Sequence, residues 1–302
     1  MNRPFLTVVS LALWLGACSG TQAAGAGRGA NAGFAGVTSG GNSAAGAGSA
    51  PSGGQGGAAG GQVGTAGSTD GAAGANAALS IDFSIWSLQL PTGSGTSPST
   101  VSPNQLLAGY SDAYFYLAAD GGQALMDPAT GITSSGSQHC RTEMREDKPG
   151  GAPAAWASSG TNSLTMTGKV IQVGGGANGR VTVAQVFDAT DSIPLCELEY
   201  ANSAQGFQLL YEEAKGQGGS PVDLSTPVAL NTAYSLTLSL SQGKLSASIN
   251  GQPVFVRTPS AATLAKSFYF KFGNYDQTTS AGAISTTPYT IVEVFSAAVV
   301  HE

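Results

Sequence analysis

The run from Leu236 to Val256, LTLSLSQGKLSASINGQPVFV, limits the fold more than any other part of the chain. Leu236, Leu238 and Leu240 alternate with small polar residues, which sets them on one face of an extended strand and not along one side of a helix. Gln242-Gly243 breaks the first run, and Asn250-Gly251 stands between the next two. Asn-Gly suits a type I′ hairpin turn, which needs positive φ at both central residues. SLTMTGKVIQV near the middle and YTIVEVFSAAVV near the end read as further strands. No long segment has helical period, no repeat is found, and strands do not alternate with helices. The expected fold is all-β: two packed antiparallel sheets, a β-sandwich or jelly roll, with one sheet face serving as a concave substrate groove. Such a fold does not by itself name a function.

The strands begin late. Residues 2–18, NRPFLTVVSLALWLGAC, carry Arg3, then a mostly apolar run, then small residues before a cysteine, which is the pattern of an export signal. It is too short for a spanning helix, which needs roughly 20 apolar residues. The ending LGAC resembles a bacterial lipobox, which implies lipid modification of Cys18 and a protein anchored to the bacterial cell envelope, with the outer membrane favoured, or else secreted. Residues 19–77 are Gly, Ala, Ser, Thr and Gln with almost no large apolar side chain, so they cannot bury enough surface to offset chain entropy and read as a disordered tether. At Ala78 the texture changes to Ile, Phe, Trp and Leu, and residues 78–302 are expected to form one domain and to act as a monomer.

Twelve Lys and Arg face eighteen Asp and Glu in the chain. With Arg3, Arg28 and Asp70 lying before the domain, ten basic residues face seventeen acidic ones within it. Nucleic acid is an unsuitable partner for that balance. An anionic ligand would need a local cluster of cations. With Cys18 assigned to lipid, Cys140 and Cys196 are an even pair in an exported protein, so a disulfide is the default expectation and two buried free thiols the alternative. No cysteine pair has ligand spacing and only His139 and His301 are present, so no metal site is expected, and no cofactor.

Three runs carry the chemistry. In RTEMRE, Arg141, Glu143 and Arg145 fall on every second position and would share a strand face. On its own this could be a surface ion-pair ladder, usually worth under about 1 kcal/mol. In FYFKFGNYDQ, Phe268, Phe270 and Phe272 would enter the core while Tyr269, Lys271, Gly273 and Tyr275 lie opposite, and Gln277 follows. An aromatic core strand explains the phenylalanines but leaves Lys271, Tyr275 and Gln277 without a role. In VAQVFD, Gln185 and Phe187 share a face, which alone is weak.

Together, RTEMR at 141–145, QVF at 185–187 and YFKFGNYDQ at 269–277 resemble, in chain order, the motifs of polysaccharide lyase family 7, the alginate lyase family with a β-jelly-roll fold. WSLQLPTG, Trp86 to Gly93, resembles that family's first strand. The resemblance implies β-elimination on a polyuronate. The carbon 5 proton is removed, charge builds on the uronate carboxylate, and the oxygen on carbon 4 leaves. It further implies that Arg141 and Gln185 hold that carboxylate, that Arg145, Lys271, Tyr269 and Gln277 bind substrate, that Glu143 keeps the arginines in register, and that Tyr275 moves the proton. A tyrosine has a reference pKa near 10 and needs a cationic neighbour to act as a base, which Lys271 or Arg141 could supply.

The departure is Phe187, where the family usually has histidine; phenylalanine can move no proton. In mannuronate and glucuronate, hydrogen 5 and oxygen 4 share a ring face, so Tyr275 alone can serve as base and acid. In guluronate they lie on opposite faces. Polymannuronate, or alginate rich in it, is therefore the first expected substrate and a β-glucuronan the second. His139, two residues before Arg141, could reach the site in the histidine's place, whereas His301 reads as incidental. The rival readings are a non-catalytic carbohydrate-binding jelly roll for acidic polysaccharide and a purely structural envelope lipoprotein.

Overall fold

A computed structural model describes residues 79–215, 217 and 221–302. The export signal, Cys18 and the 19–77 tether lie outside the described residues. The alternation read from the sequence produces two mainly antiparallel sheets packed face to face. One contains Asn162–Gln172, Tyr234–Ser241, Lys244–Ile249 and Thr290–His301 among its strands. Leu236, Leu238, Leu240, Leu164, Met166, Val292 and Val294 point inward from it and are buried. The two turns read from glycine dipeptides are present: Gln242 and Gly243 have φ of 50° and 70°, and Asn250 and Gly251 have 51° and 75°, positive at both positions as type I′ geometry requires.

The second sheet positions the site. Its relevant strands are β1 (Trp86–Ser94), β2 (Thr142–Glu146), β3 (Arg180–Asp188), β4 (Ile193–Ala201), β5 (Gly206–Tyr211) and β6 (Ser267–Asp276), and their order across the sheet is β5, β4, β3, β6, β2, β1. Trp86, Leu88, Met144, Val186, Leu198, Phe268, Phe270 and Phe272 face the core. The alternate residues carry the polar groups on the opposite face. The described helices are short, Pro103–Leu107 and Ala261–Leu264.

The expected Cys140–Cys196 disulfide is absent: both cysteines are free and buried. The reason is topological. Cys140 leads into β2 and Cys196 lies in β4, with β6 and β3 between them. Three strand spacings amount to roughly 14 Å, about twice the largest Cα separation a disulfide spans. Burial, reinforced by the nearby Asp127, pushes the Cys140 thiol far up, and burial carries that of Cys196 to about 12, so neither is poised to react.

Candidate active site

Register aligns the polar face into rows. In one row Glu197, Gln185, Lys271 and Arg145 stand side by side on β4, β3, β6 and β2. On one flank Phe187 faces Tyr269, and on the other Thr182 faces Glu199 and Tyr275. A β-bulge between Thr182 and Ala184 keeps this arrangement. Val181, Val183, Ala184 and Val186 are all buried, so the extra residue re-aims Gln185 and Phe187 outward. Gly273, opposite Glu143 with φ of 134°, has no room for a side chain. A Cβ there would lie 2.8 Å from Leu125 and 2.9 Å from the Thr142 carbonyl.

At the centre is Glu143, 1% exposed. Its Oε2 accepts from Arg141 Nη1 at 2.9 Å and from Lys271 Nζ at 2.5 Å, and its Oε1 accepts from Gln185 Nε2. A carboxylate oxygen needs a donor, which fixes the Gln185 amide with nitrogen towards Glu143 and leaves its Oε1 buried and unpartnered. Burial pushes the Glu143 carboxyl up, but Lys271 and Arg141 together hold it below the usual carboxylate range. Burial also lowers Lys271, to about 8, against the pull of Glu143. Arg141 is pulled down by burial, but Glu143 outweighs that and holds its guanidinium charged.

Tyr275 adjoins this cluster. The Arg141 guanidinium carbon lies 3.6 Å from the Tyr275 ring centroid, a cation–π contact. The phenol oxygen is 3.0 Å from Ser137 Oγ, and the same Oγ accepts from Arg141 Nη2 at 2.9 Å. Arg141 Nε is buried with no partner. Burial raises the phenol above its ordinary pKa, outweighing Arg141 and the Ser137 hydrogen bond, so Tyr275 is protonated through the neutral range.

The family model for alginate lyases (Alginate_lyase2) matches residues 81–301. The chain belongs to the alginate lyase family. Alginate lyase PA1167 from Pseudomonas aeruginosa is 27% identical with a TM-score of 0.65, over 73% of this chain and 100% of that one. Alginate lyase A1-II′, a member of polysaccharide lyase family 7, is 27% identical with a TM-score of 0.63, over 74% of this chain and 96% of its own. A variant of A1-II′ in complex with substrate (GGMG) is 26% identical with a TM-score of 0.63, over 73% and 94%. No curated protein sequence matches the chain. The motif resemblance and the jelly-roll expectation are thereby borne out, and the domain is a polysaccharide lyase.

Within this alginate-lyase scaffold several sequence-based roles change. Glu143 does not hold the two arginines in register. Arg145 turns away to Asp147, 3.4 Å from its Oδ1, and lies 4.2 Å over the Tyr269 ring, while Lys271 takes the place expected for it on Glu143. Gln277 gives its amide to Thr182 Oγ1 at 3.0 Å and to the Tyr275 carbonyl at 3.3 Å, bracing β6 against β3. His139 donates from Nδ1 to the Thr279 carbonyl at 2.5 Å, and its ring centre is 6.2 Å from that of Tyr275. It stands on the Tyr275 side and is no substitute at the Phe187 end. Phe187 is half-buried, 5.1 Å from the Tyr269 ring, with Lys271 Nζ 4.9 Å from its own centroid.

His301 is not incidental. It lies 2.6 Å from Glu146 Oε1 and 2.9 Å from Asn162 Oδ1, on a carboxylate that also receives the Trp156 indole and the Phe270 amide. This network ties the last strand to the back of β2 and β6, away from Tyr275. Two polar-face residues escaped the sequence reading. Ser137, in the loop TSSGSQHC, carried no signal. Glu197 was legible, because the alternation in CELEY sends Cys196, Leu198 and Tyr200 to the core and leaves Glu197 and Glu199 on the other face.

Proposed function

We propose that this polysaccharide lyase cleaves polymannuronate, or mannuronate-rich alginate, by syn β-elimination with Tyr275 as both base and acid, a β-glucuronan being the nearest alternative substrate. The observation that carries this reading is the phenol of Tyr275 held beside the guanidinium of Arg141 through Ser137, with Phe187 at the other end of the site. The uronate carboxylate would lie against Arg141 and Gln185, both of which Glu143 anchors. Arg141 and Lys271 exceed Glu143 by one positive charge, which a single carboxylate neutralises. Preorganised donors of this kind act on charge that develops in the transition state, and each is worth about 3 kcal/mol.

Tyr275 must first lose its phenolic proton to bulk water; the phenolate then takes hydrogen 5 and hands it to oxygen 4 on the same ring face as the C4–O4 bond breaks and the C4–C5 double bond forms. Phe187 offers no second base, so guluronate, which presents the two groups on opposite faces, is disfavoured. A panel of polymannuronate, polyguluronate and β-glucuronan, followed by the ultraviolet absorbance of unsaturated ends, tests the assignment. Polymannuronate should be cleaved fastest, and Phe187→His should raise the rate on polyguluronate selectively. A wild-type preference for polyguluronate defeats the syn scheme, and binding without any new chain ends supports the carbohydrate-binding alternative.

Export and lipid anchoring through Cys18 form part of the same proposal, supported by the signal-like residues 2–18 and LGAC. Metabolic labelling with a fatty-acid analogue should mark the wild type and not Cys18→Ser.

A further inference from the structure

Glu197 is a buried carboxyl, 6% exposed, on the polar face of β4. It stands opposite Gln185 on β3 and Leu210 on β5. Its neighbour Glu199 is paired, accepting from Arg180 at 3.2 Å and from Gln208 at 2.6 Å, and Glu143 has three partners. Among the described residues Glu197 has no hydrogen-bond partner. Unlike the sealed Oε1 of Gln185, its oxygens are not closed off from the surface, so the carboxyl opens onto the row that would receive the substrate carboxylate.

Resting on the proposed elimination, we infer that Glu197 takes part as a neutral carboxylic acid, donating a hydrogen bond to the bound uronate carboxylate from the side of Gln185 away from Lys271. Two carboxylates cannot share that space unless one carries a proton, and a protonated acid is a donor aimed at the group whose charge grows during elimination. The charged groups that face Glu197 are Glu199 on its own strand, Arg141 and Glu143 at β2, and Lys271 and Tyr275 on β6. β3 and β5 contribute no charge beside it, presenting Gln185 and Leu210. Burial first, and then Glu199, lift the Glu197 carboxyl to about 7 against the pull of Arg141. It therefore changes form within the working range of an enzyme.

Two protonations then act in opposite senses. Tyr275 works as phenolate, so its contribution rises with pH, whereas Glu197 works as the acid, so its contribution falls. The kcat/KM of the wild type on polymannuronate should climb to about pH 7 and level off. Glu197→Gln, an amide that stays a neutral donor, should keep climbing until Lys271 loses its proton at about 8, so that the variant to wild-type ratio is flat below the Glu197 midpoint and rises up to about tenfold per pH unit above it. A ratio that does not vary with pH, or a loss of about 100-fold or more at every pH, overturns the inference. The latter outcome would make Glu197 a base.

A second measurement does not depend on cleavage. Calorimetry of trimannuronate binding to Tyr275→Phe at about pH 7.5, in buffers of different ionisation enthalpy, should show proton uptake approaching one per site, lost on adding Glu197→Gln. No uptake, or uptake that survives the second substitution and so belongs to Lys271, overturns it. Absence of cleavage on the whole polymer panel would defeat the proposed function instead, with the proton count still informative.

Discussion

The two sheets present different outer faces over similar apolar inner ones. On the sheet built around Asn162–Gln172 and Tyr234–Ser241, the outward residues are largely Ser and Thr, which bond one another: Thr165 to Thr237 at 3.2 Å, Thr167 to Ser296 at 2.7 Å and Ser239 to Ser246 at 2.9 Å. On the other sheet the outward residues are Glu143, Gln185, Glu197 and Lys271, all less than a tenth exposed. A hydroxyl loses little when it leaves water and finds a similar neighbour, so the first face is inexpensive and replaceable. Burying charges carries a desolvation penalty of several kcal/mol per ion, so the second face persists only because each group is matched to another or to something that binds.

This contrast is open to test, beginning where the effect should be greatest. Tyr275→Phe should lower polymer cleavage by about 10³-fold with circular dichroism unchanged. A variant retaining more than a tenth of the activity would remove the phenol from the chemistry. Glu143→Gln leaves Arg141 and Lys271 without their shared carboxylate and should destabilise the fold by about 3 kcal/mol, seen as a melting temperature lower by about 10 °C. Unchanged melting would mean that the buried charges are not a coupled unit. Arg141→Lys keeps the charge but loses the planar fork that bridges Glu143 and Ser137, so kcat/KM should fall by about 100-fold with the fold intact. On the hydroxyl face, Thr165→Ala and Thr237→Ala should each change stability by less than about 0.5 kcal/mol and leave kcat/KM alone. A larger change in turnover there would mean that the two faces are not as separate as their chemistry indicates.

The difference between the faces also governs what could be read from the sequence. Period-two alternation and the glycine dipeptides marked the strands and hairpins because one inner face is uniformly apolar. RTEMRE marked the site because charged residues at alternate positions are unusual in a chain with few of them, whereas QVF and the β6 run gained their weight from resembling, in chain order, the family's motifs. Which charge meets which partner was not legible. Lys271 takes the place expected for Arg145 on Glu143 because the register between β6 and β2 decides it, and register is invisible within any one strand. The cysteine pairing failed for the same reason, since counting thiols takes no account of the strands between them. Ser137 belongs to a loop whose path is set by the residues it touches and not by its own pattern.

The position of β6 between β2 and β3 has a temporal consequence. Both flanking strands precede it in the chain, so the sheet has a gap at its centre until the segment ending at residue 276 docks between them. Arg141, Glu143 and Gln185 can stay hydrated until then, and their withdrawal from water coincides with arrival of the strand bearing Lys271 and Tyr275. Recovery of turnover during refolding would therefore time the insertion of that one strand.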